Sequence, residues 1–175
     1  MPILIMIIGA ISAAAFWYYR MQAAQRGAAD LLDAANDVRL AARRFGFKRK
    51  LNVHPADSIE DPRLAAAGIV SAFAGMSGPV ERSQTDIMII QFQSVFGASK
   101  EEAAEFATFG RWIAEQCGTR SEAVRRLSKK LANLAGAEAL PDLERIIDAT
   151  LKAEQREDGE EEKEAMDQLR RRFAA

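Results

Sequence analysis

The chain has 175 residues, enough for one modest domain and an additional segment, and its 24 Lys and Arg residues nearly balance its 25 Asp and Glu residues. This near-neutral charge argues against a dedicated nucleic-acid-binding protein, because such proteins depend on many cationic contacts to phosphate. The single cysteine, Cys117, excludes an internal disulfide, and the single histidine, His54, is too far from it in sequence to indicate a zinc site.

The first segment, residues 1–20, predicts a membrane anchor. Residues 3–19 carry no charged side chain, and this run is slightly shorter than the roughly 20 residues that usually span a bilayer. It lacks the positively charged start of a signal peptide, so we expect it to be retained, and it lacks the polar face of an interfacial helix. The membrane–water boundary is predicted at Phe16, Trp17, Tyr18, Tyr19 and Arg20.

The distribution of cations predicts the orientation of this anchor. No Lys or Arg precedes the apolar run, whereas many follow it, beginning with Arg20, Arg26 and Arg39. Positive charge concentrates on the cytoplasmic side of membrane proteins. We therefore expect a single pass through the inner (plasma) membrane, with the C-terminal domain in the cytoplasm.

Residues 21–60 predict a helical stalk followed by a basic linker. The part up to Phe45 is rich in alanine, contains no proline and has apolar residues at three- and four-residue spacing. Such a helix either packs on its own domain, which we favour, or binds a partner helix as a coiled coil. The linker carries a basic cluster consisting of Arg43, Arg44, Lys48, Arg49 and Lys50. Close to an anchor, these cations favour anionic lipid headgroups, at about 1 kcal/mol each, with nucleic-acid binding as the rival interpretation.

Residues 61–175 predict a helical bundle. It opens with Asp61 as the N-cap and Pro62 at the first helical position. The small residues in 65–68 permit close contact between helices, and the glycines and proline in 75–79 end this first helix. The next helix has an apolar face predicted at Ile87, Ile90, Ser94 and Val95, and it stops at Gly97.

Two capping boxes predict the starts of the following helices. Ser99 pairs with Glu102, and Thr119 pairs with Glu122. Further helices are predicted from Pro141 and after the Asp158–Gly159 pair. No segment alternates polar and apolar residues as a strand does, so the sequence predicts an all-α fold. The residues best explained as core packing are Phe106, Phe109, Trp112 and Cys117.

Two stretches of this bundle, LAAAGIVSAFAGMSGPV at 64–80 and FGASKEE at 96–102, resemble the TerB-like domain, named for tellurite-resistance proteins. The resemblance covers Asp61 to Phe173 and implies a compact bundle built from two similar helical segments. The family's signature is an Asp-Gly turn between paired helices, with an acidic residue about two turns later. Here Ser77–Gly78 stands in the first turn, and Gln84 stands near the expected acid.

The second turn keeps the family's pattern more closely. Asp158–Gly159 matches the Asp-Gly pair, and Glu164 is the nearest acid by spacing. Because the family has been linked to divalent cations, the resemblance implies that Asp158 and Glu164 bind Ca²⁺ or Mg²⁺ weakly, with no other cofactor. The alternative, which we favour, is a solvated acidic start of a helix.

No motif for catalysis accompanies this pattern. A phosphate-binding loop, a nucleophile elbow, a metalloprotease pair and a Cys–His couple are all missing from the sequence, so no enzymatic activity is expected. We expect a membrane-anchored, TerB-like interaction or scaffold module at the cytoplasmic face. The resemblance links it to envelope or metal (tellurite-type) stress. Its partners would be the membrane and an unidentified protein, without nucleic acid or a small-molecule substrate. The alternatives are an accessory subunit of a larger membrane complex and a divalent-cation-binding domain.

Overall fold

The computed structural model describes residues 35–153 and 159–174, and the compact unit that it defines is Val38–Ala175. The predicted anchor, with Phe16, Trp17, Tyr18, Tyr19 and Arg20, lies outside the described residues, as does Asp158. Among the described helices, none combines the length and the apolar character that crossing a bilayer requires.

The described residues form helices and contain no strand, which confirms the all-α prediction. Residues 35–44 form α1, and a 3₁₀ turn follows at Pro55–Ser58. The remaining helices are α2 (Pro62–Ala74), α3 (Arg82–Phe96), α4 (Lys100–Gln116), α5 (Arg120–Ala135), α6 (Leu140–Lys152) and α7 (Glu160–Phe173). A second 3₁₀ turn, Ala137–Ala139, leads into α6.

Helix ends follow the predicted caps. The Asp61 carboxylate accepts a hydrogen bond from the Arg63 backbone N–H at 2.9 Å, and Gly97 ends α3 with a φ of +63°. The Ser99 hydroxyl accepts from the Glu102 N–H at 3.2 Å, and the Glu102 carboxylate accepts from the Ser99 N–H at 3.0 Å. The capping box predicted before α4 is therefore confirmed.

The capping box predicted before α5 forms on one side only. The Thr119 hydroxyl accepts from the Glu122 N–H at 3.2 Å. The Glu122 carboxylate pairs instead with the Arg125 guanidinium, one turn further along α5, and this hydrogen bond lowers the pKa of Glu122. A neighbouring cation has thus replaced the backbone as the partner of the glutamate.

Helix α2 lies at the centre of the bundle. Every residue in 64–74 is buried, and α2 packs on α4, α5 and α6. A helix that is apolar or small on all sides is suited to such a central place. The predicted close contact is confirmed where α4 crosses α2, because a Cβ atom at Gly110 would lie 2.5 Å from the Ala67 carbonyl oxygen.

The predicted apolar face of α3 is correct only in part: Val95 packs against the core and Ile87 is partly buried, but Ile90 and Ser94 face solvent. The structure buries Gln84, Met88 and Phe92, whereas Ile90 is 54 % exposed and Ser94 is exposed. The run Ile-Met-Ile-Ile at 87–90 is apolar around the whole helix, so its spacing does not single out one face. Packing on α4 and α6 selects the face that carries the Phe92 ring.

The described end of the stalk packs on the bundle through aromatic rings. The Phe45 ring stacks on Phe106 with centroids 4.1 Å apart, and the Phe47 ring meets Phe109 edge to face at 5.1 Å. Ala41 is fully buried. For residues 38–47, the interpretation that the stalk packs on its own domain is confirmed, as is the packing role of Phe106 and Phe109.

Candidate functional site

A loop of cations with an apolar tip follows α1. Lys48, Arg49 and Lys50 are all exposed, and Leu51 directly after them is 93 % exposed. The chain turns here: the Val53 N–H donates to the Lys50 carbonyl at 3.4 Å, and Asn52 has a φ of +62°. We call residues 48–53 the basic loop.

Both ends of the basic loop are fixed to the bundle. On one side, the Phe47 ring packs edge to face against both Phe109 and Trp112. On the other side, the Lys50 N–H donates to the Ser58 hydroxyl at 3.3 Å, and the Lys50 ammonium lies 3.2 Å from the Glu60 carboxylate. The loop is therefore held in one position while its tip stays in solvent.

His54 helps to fix the loop rather than to bind a ligand. Its Nδ1 accepts from the Ala56 N–H at 3.2 Å, which leaves Nε2 as the protonated nitrogen of the neutral ring. Nε2 lies 3.0 Å from the Gln116 carbonyl at the end of α4, to which it donates. Both ring nitrogens thus have partners within the described residues.

Of the predicted lipid-contacting cations, two form ion pairs with the bundle and three do not. Arg44 lies 3.1 Å from the Glu105 carboxylate on α4, and Lys50 lies 3.2 Å from the Glu60 carboxylate, so part of their charge is neutralised. The other three are exposed and have no ion pair among the described residues: Arg43, Lys48 and Arg49.

Exposed apolar residues lie beside these cations, and they were not predicted from the sequence. Leu51 is 93 % exposed, Leu40 is 51 % exposed and Val53 is 38 % exposed. The available signal was a leucine directly after a Lys-Arg-Lys run, outside any helical period. A cationic surface with projecting apolar side chains is a combination that can bind the headgroup region of an anionic bilayer.

A second feature joins the two turns singled out by the TerB resemblance. The Ser77 hydroxyl donates to Glu162 Oε1 at 2.8 Å, and the Gly159 N–H donates to Glu162 Oε2. Glu162 is only 2 % exposed, although it carries a carboxylate. We call this contact between the 77–78 turn and the start of α7 the turn contact.

Gln84 occupies the same position in α3 that Glu162 occupies in α7. Each is the third residue of its helix, each is buried, and each accepts from the N-cap backbone N–H, which for Gln84 belongs to Glu81 at 3.0 Å. The Gln84 amide also donates to the Ala74 carbonyl at 3.5 Å. The first turns of α3 and α7 are therefore capped alike.

Of the two predicted metal ligands, the structure describes Glu164 and not Asp158. Glu164 is exposed on α7, whereas the acid that reaches the turn is Glu162, two residues earlier. Within 35–153 and 159–174, no group of three or more potential ligand residues is arranged to hold a metal ion. The assignment of Asp158 and Glu164 as a metal site stays a prediction, because Asp158 is not described.

Cys117 lies in the core as predicted. It is 7 % exposed, and its thiol donates to the Ile113 carbonyl at 3.3 Å. Burial raises the pKa of the thiol from 9.0 to about 11, so the reactive thiolate is scarce at neutral pH.

Comparisons with protein-family models, with curated proteins and with solved structures find no match to this chain. The TerB resemblance and the function that it implies therefore stay predictions.

Proposed function

We propose that this protein is a membrane-anchored, non-enzymatic interaction module. Residues 1–20 act as the anchor, the TerB-like body lies at the cytoplasmic face, and the basic loop rests on anionic lipid headgroups. The observation that carries the proposal is the nearly complete exposure of Leu51 at the tip of a turn that Lys48, Arg49 and Lys50 precede.

The magnitudes favour a tethered body. Burying one leucine side chain contributes about 1.5–3 kcal/mol, and a cation near an anionic surface contributes about 1 kcal/mol. Such a sum gives only weak, reversible binding for a free body. A covalent anchor keeps the loop at a high effective concentration near the bilayer, so the same contacts then suffice to orient the body.

Fractionation of cells that express the full chain tests this proposal. We expect the full chain to stay in the membrane pellet after alkaline carbonate extraction, and a variant lacking residues 2–20 to be released. Protease added to spheroplasts should leave the body intact, because it lies on the cytoplasmic side. Digestion of the body by external protease, or release of the full chain by carbonate, would contradict the proposal.

A further inference from the structure

A second cationic surface lies on α5, apart from the basic loop. Arg125, Arg126, Lys129 and Lys130 recur at spacings of one, three and four residues, which places them on neighbouring turns of one side of the helix. The opposite side of α5 is buried in the core through Val124, Leu127 and Leu131. The cations therefore form the solvent side of an amphipathic helix.

Two clefts flank this row of cations. One, of about 380 Å³, lies between α5 and Asp57, and its lining includes Arg126, Lys129 and Asn133. The other, of about 270 Å³, lies between α5 and the C-terminal end of α7, which contributes Arg171 and Arg172. Arg125 lines both clefts. We call the two clefts together the cationic groove.

The protein already places one aspartate of its own chain, Asp57, in this groove. The Asp57 carboxylate lies 3.0 Å from Arg126 Nη1, and the Asp57 backbone carbonyl accepts from Lys130 Nζ at 3.0 Å. A carboxylate and a peptide carbonyl are thus bound side by side by cations one turn apart. This arrangement is the kind that recognises an acidic polypeptide.

Other cations of the groove remain available for a ligand. The Arg125 side chain pairs with Glu122. The side chains of Lys129, Arg171 and Arg172 form no hydrogen bond or ion pair within the part of the chain that the structure describes. The side-chain amides of Asn133 and Gln168 line the same clefts and can donate to peptide carbonyls.

We propose that the cationic groove binds an acidic polypeptide segment of a partner protein. This inference rests on the proposed function, for which it names the chemistry of the partner. A concave groove admits the side chains of an extended peptide, whereas a bilayer presents a broad surface that does not enter such clefts. The near-neutral charge of the whole chain also disfavours the long phosphate track of a nucleic acid. An interface of this kind gains its partner selectivity from charge complementarity.

Binding of a labelled peptide by the full chain, held in a nanodisc of zwitterionic lipid, tests this inference. The probe is a fluorescein-labelled peptide rich in Asp and Glu, and the control peptide carries Asn and Gln in their place. We expect saturable binding of the acidic peptide that weakens with added salt, and at least about 10-fold weaker binding of the control peptide.

A pair of double variants locates the binding. Lys129→Glu with Arg172→Glu reverses charge in the groove, and Arg82→Glu with Lys100→Glu makes the same change at exposed positions outside it. We expect the groove variant to bind the acidic peptide at least about 10-fold more weakly, and the outer variant to stay within about twofold of the unchanged chain. A neutralising pair, Lys129→Gln with Arg172→Gln, should give an intermediate loss and guards against a folding defect in the first variant.

Several results would overturn the inference. Equal affinity of the groove variant and the unchanged chain would do so, as would equal binding of the acidic and control peptides. Loss of anionic-vesicle or oligonucleotide binding in the groove variant, with peptide binding unchanged, would assign the groove to those ligands instead. Because the lipid is zwitterionic and the readout is a peptide, failure here leaves the membrane topology experiment unaffected.

Discussion

Gly110 shows how one missing side chain sets the distance between two central helices. Its position on α4 faces the Ala67 carbonyl of α2, and a Cβ there would lie 2.5 Å from that backbone oxygen. At Gly68, an added Cβ would lie 2.7 Å from Ile113 Cγ2 and from Leu127 Cδ1, which are side-chain atoms and not backbone atoms. An added methyl group should therefore be tolerated less well at Gly110 than at Gly68, although both glycines lie inside helices.

We predict that Gly110→Ala lowers the free energy of unfolding by about 2 kcal/mol, because a backbone clash outweighs the gain in helix propensity. Gly68→Ala should lower the free energy of unfolding by less, because its added methyl group meets side-chain atoms and not the backbone. Urea unfolding followed by circular dichroism measures both. A Gly110→Ala protein as stable as the unchanged chain would show that the α2–α4 crossing is looser than described.

Cys117 should react slowly in the folded protein. With its pKa raised to about 11, the thiolate at pH 8 is about 100-fold scarcer than for a thiol at 9.0. We predict that a disulfide reagent modifies Cys117 at least about 100-fold faster in unfolding urea than in buffer. Equal rates in both conditions would mean that this thiol is exposed in the native state.

The raised pKa of Cys117 also predicts a loss of stability at high pH. Because the folded state disfavours the thiolate, the contribution of Cys117 is complete below pH 9.0 and is lost as the pH rises from about 9 to about 11. The unfolding midpoint of the unchanged chain should therefore fall more steeply above pH 9 than that of Cys117→Ala. Parallel pH profiles for the two proteins would contradict this expectation.

The roles of some residues can be predicted from the sequence, and those of others cannot. The core roles of Cys117 and Phe106 follow from local spacing, and both are confirmed. The resemblance implies Glu164 as the acid of the second turn, whereas the buried acid is Glu162. Only the approach of Ser77, distant in sequence, distinguishes the two.

At the scale of the elements, α7 depends on side-chain contacts at both of its ends. Near its start, Glu162 binds the 77–78 turn and the Ser121 hydroxyl donates to Glu161 at 2.8 Å. Near its C-terminal end, Arg170 donates to the Glu144 carboxylate of α6 at 2.6 Å. The turn contact is the most buried of these and should contribute most, because exposed ion pairs contribute little.

We predict that Glu162→Ala lowers the free energy of unfolding by about 2 kcal/mol, since it removes a cap and the charged acceptor of two partly buried hydrogen bonds. Glu164→Ala is the matched control on the same helix and should change it by less than about 0.5 kcal/mol. Urea unfolding and amide hydrogen exchange of α7 measure the effect. Similar losses for the two variants would contradict a structural role for the turn contact.

The sequence predicts those features of a helix that depend on residues close by in the chain. The caps at Asp61 and Ser99 involve groups within three residues, so the sequence predicts them correctly. The buried face of α3 depends on α4 and α6, and the 87–90 run is apolar on every side, so the sequence predicts this face only in part. Tertiary packing, and not the spacing of apolar residues, determines which face of α3 is buried.

At the scale of the whole molecule, the all-α body follows from helix spacing and caps, whereas the surfaces proposed to bind lipid and an acidic peptide do not. The basic loop was visible as a charge cluster, but the exposure of Leu51 depends on the turn that Asn52 makes. The cationic groove joins α5, α7 and Asp57, which are far apart in the sequence. Both surfaces required the fold before they could be recognised.

The depth of Leu51 at the membrane tests the central proposal most directly. A full chain carrying Leu51→Cys in a Cys117→Ala background is labelled with an environment-sensitive fluorophore and reconstituted into vesicles rich in anionic lipid. The control label is placed by Glu138→Cys, at an exposed turn before α6. We predict that lipid-borne quenchers in the headgroup region quench the label at position 51 and leave the label at position 138 unaffected. A position-51 label that stays in water, unquenched at low salt, would contradict the proposal that the basic loop rests on the bilayer.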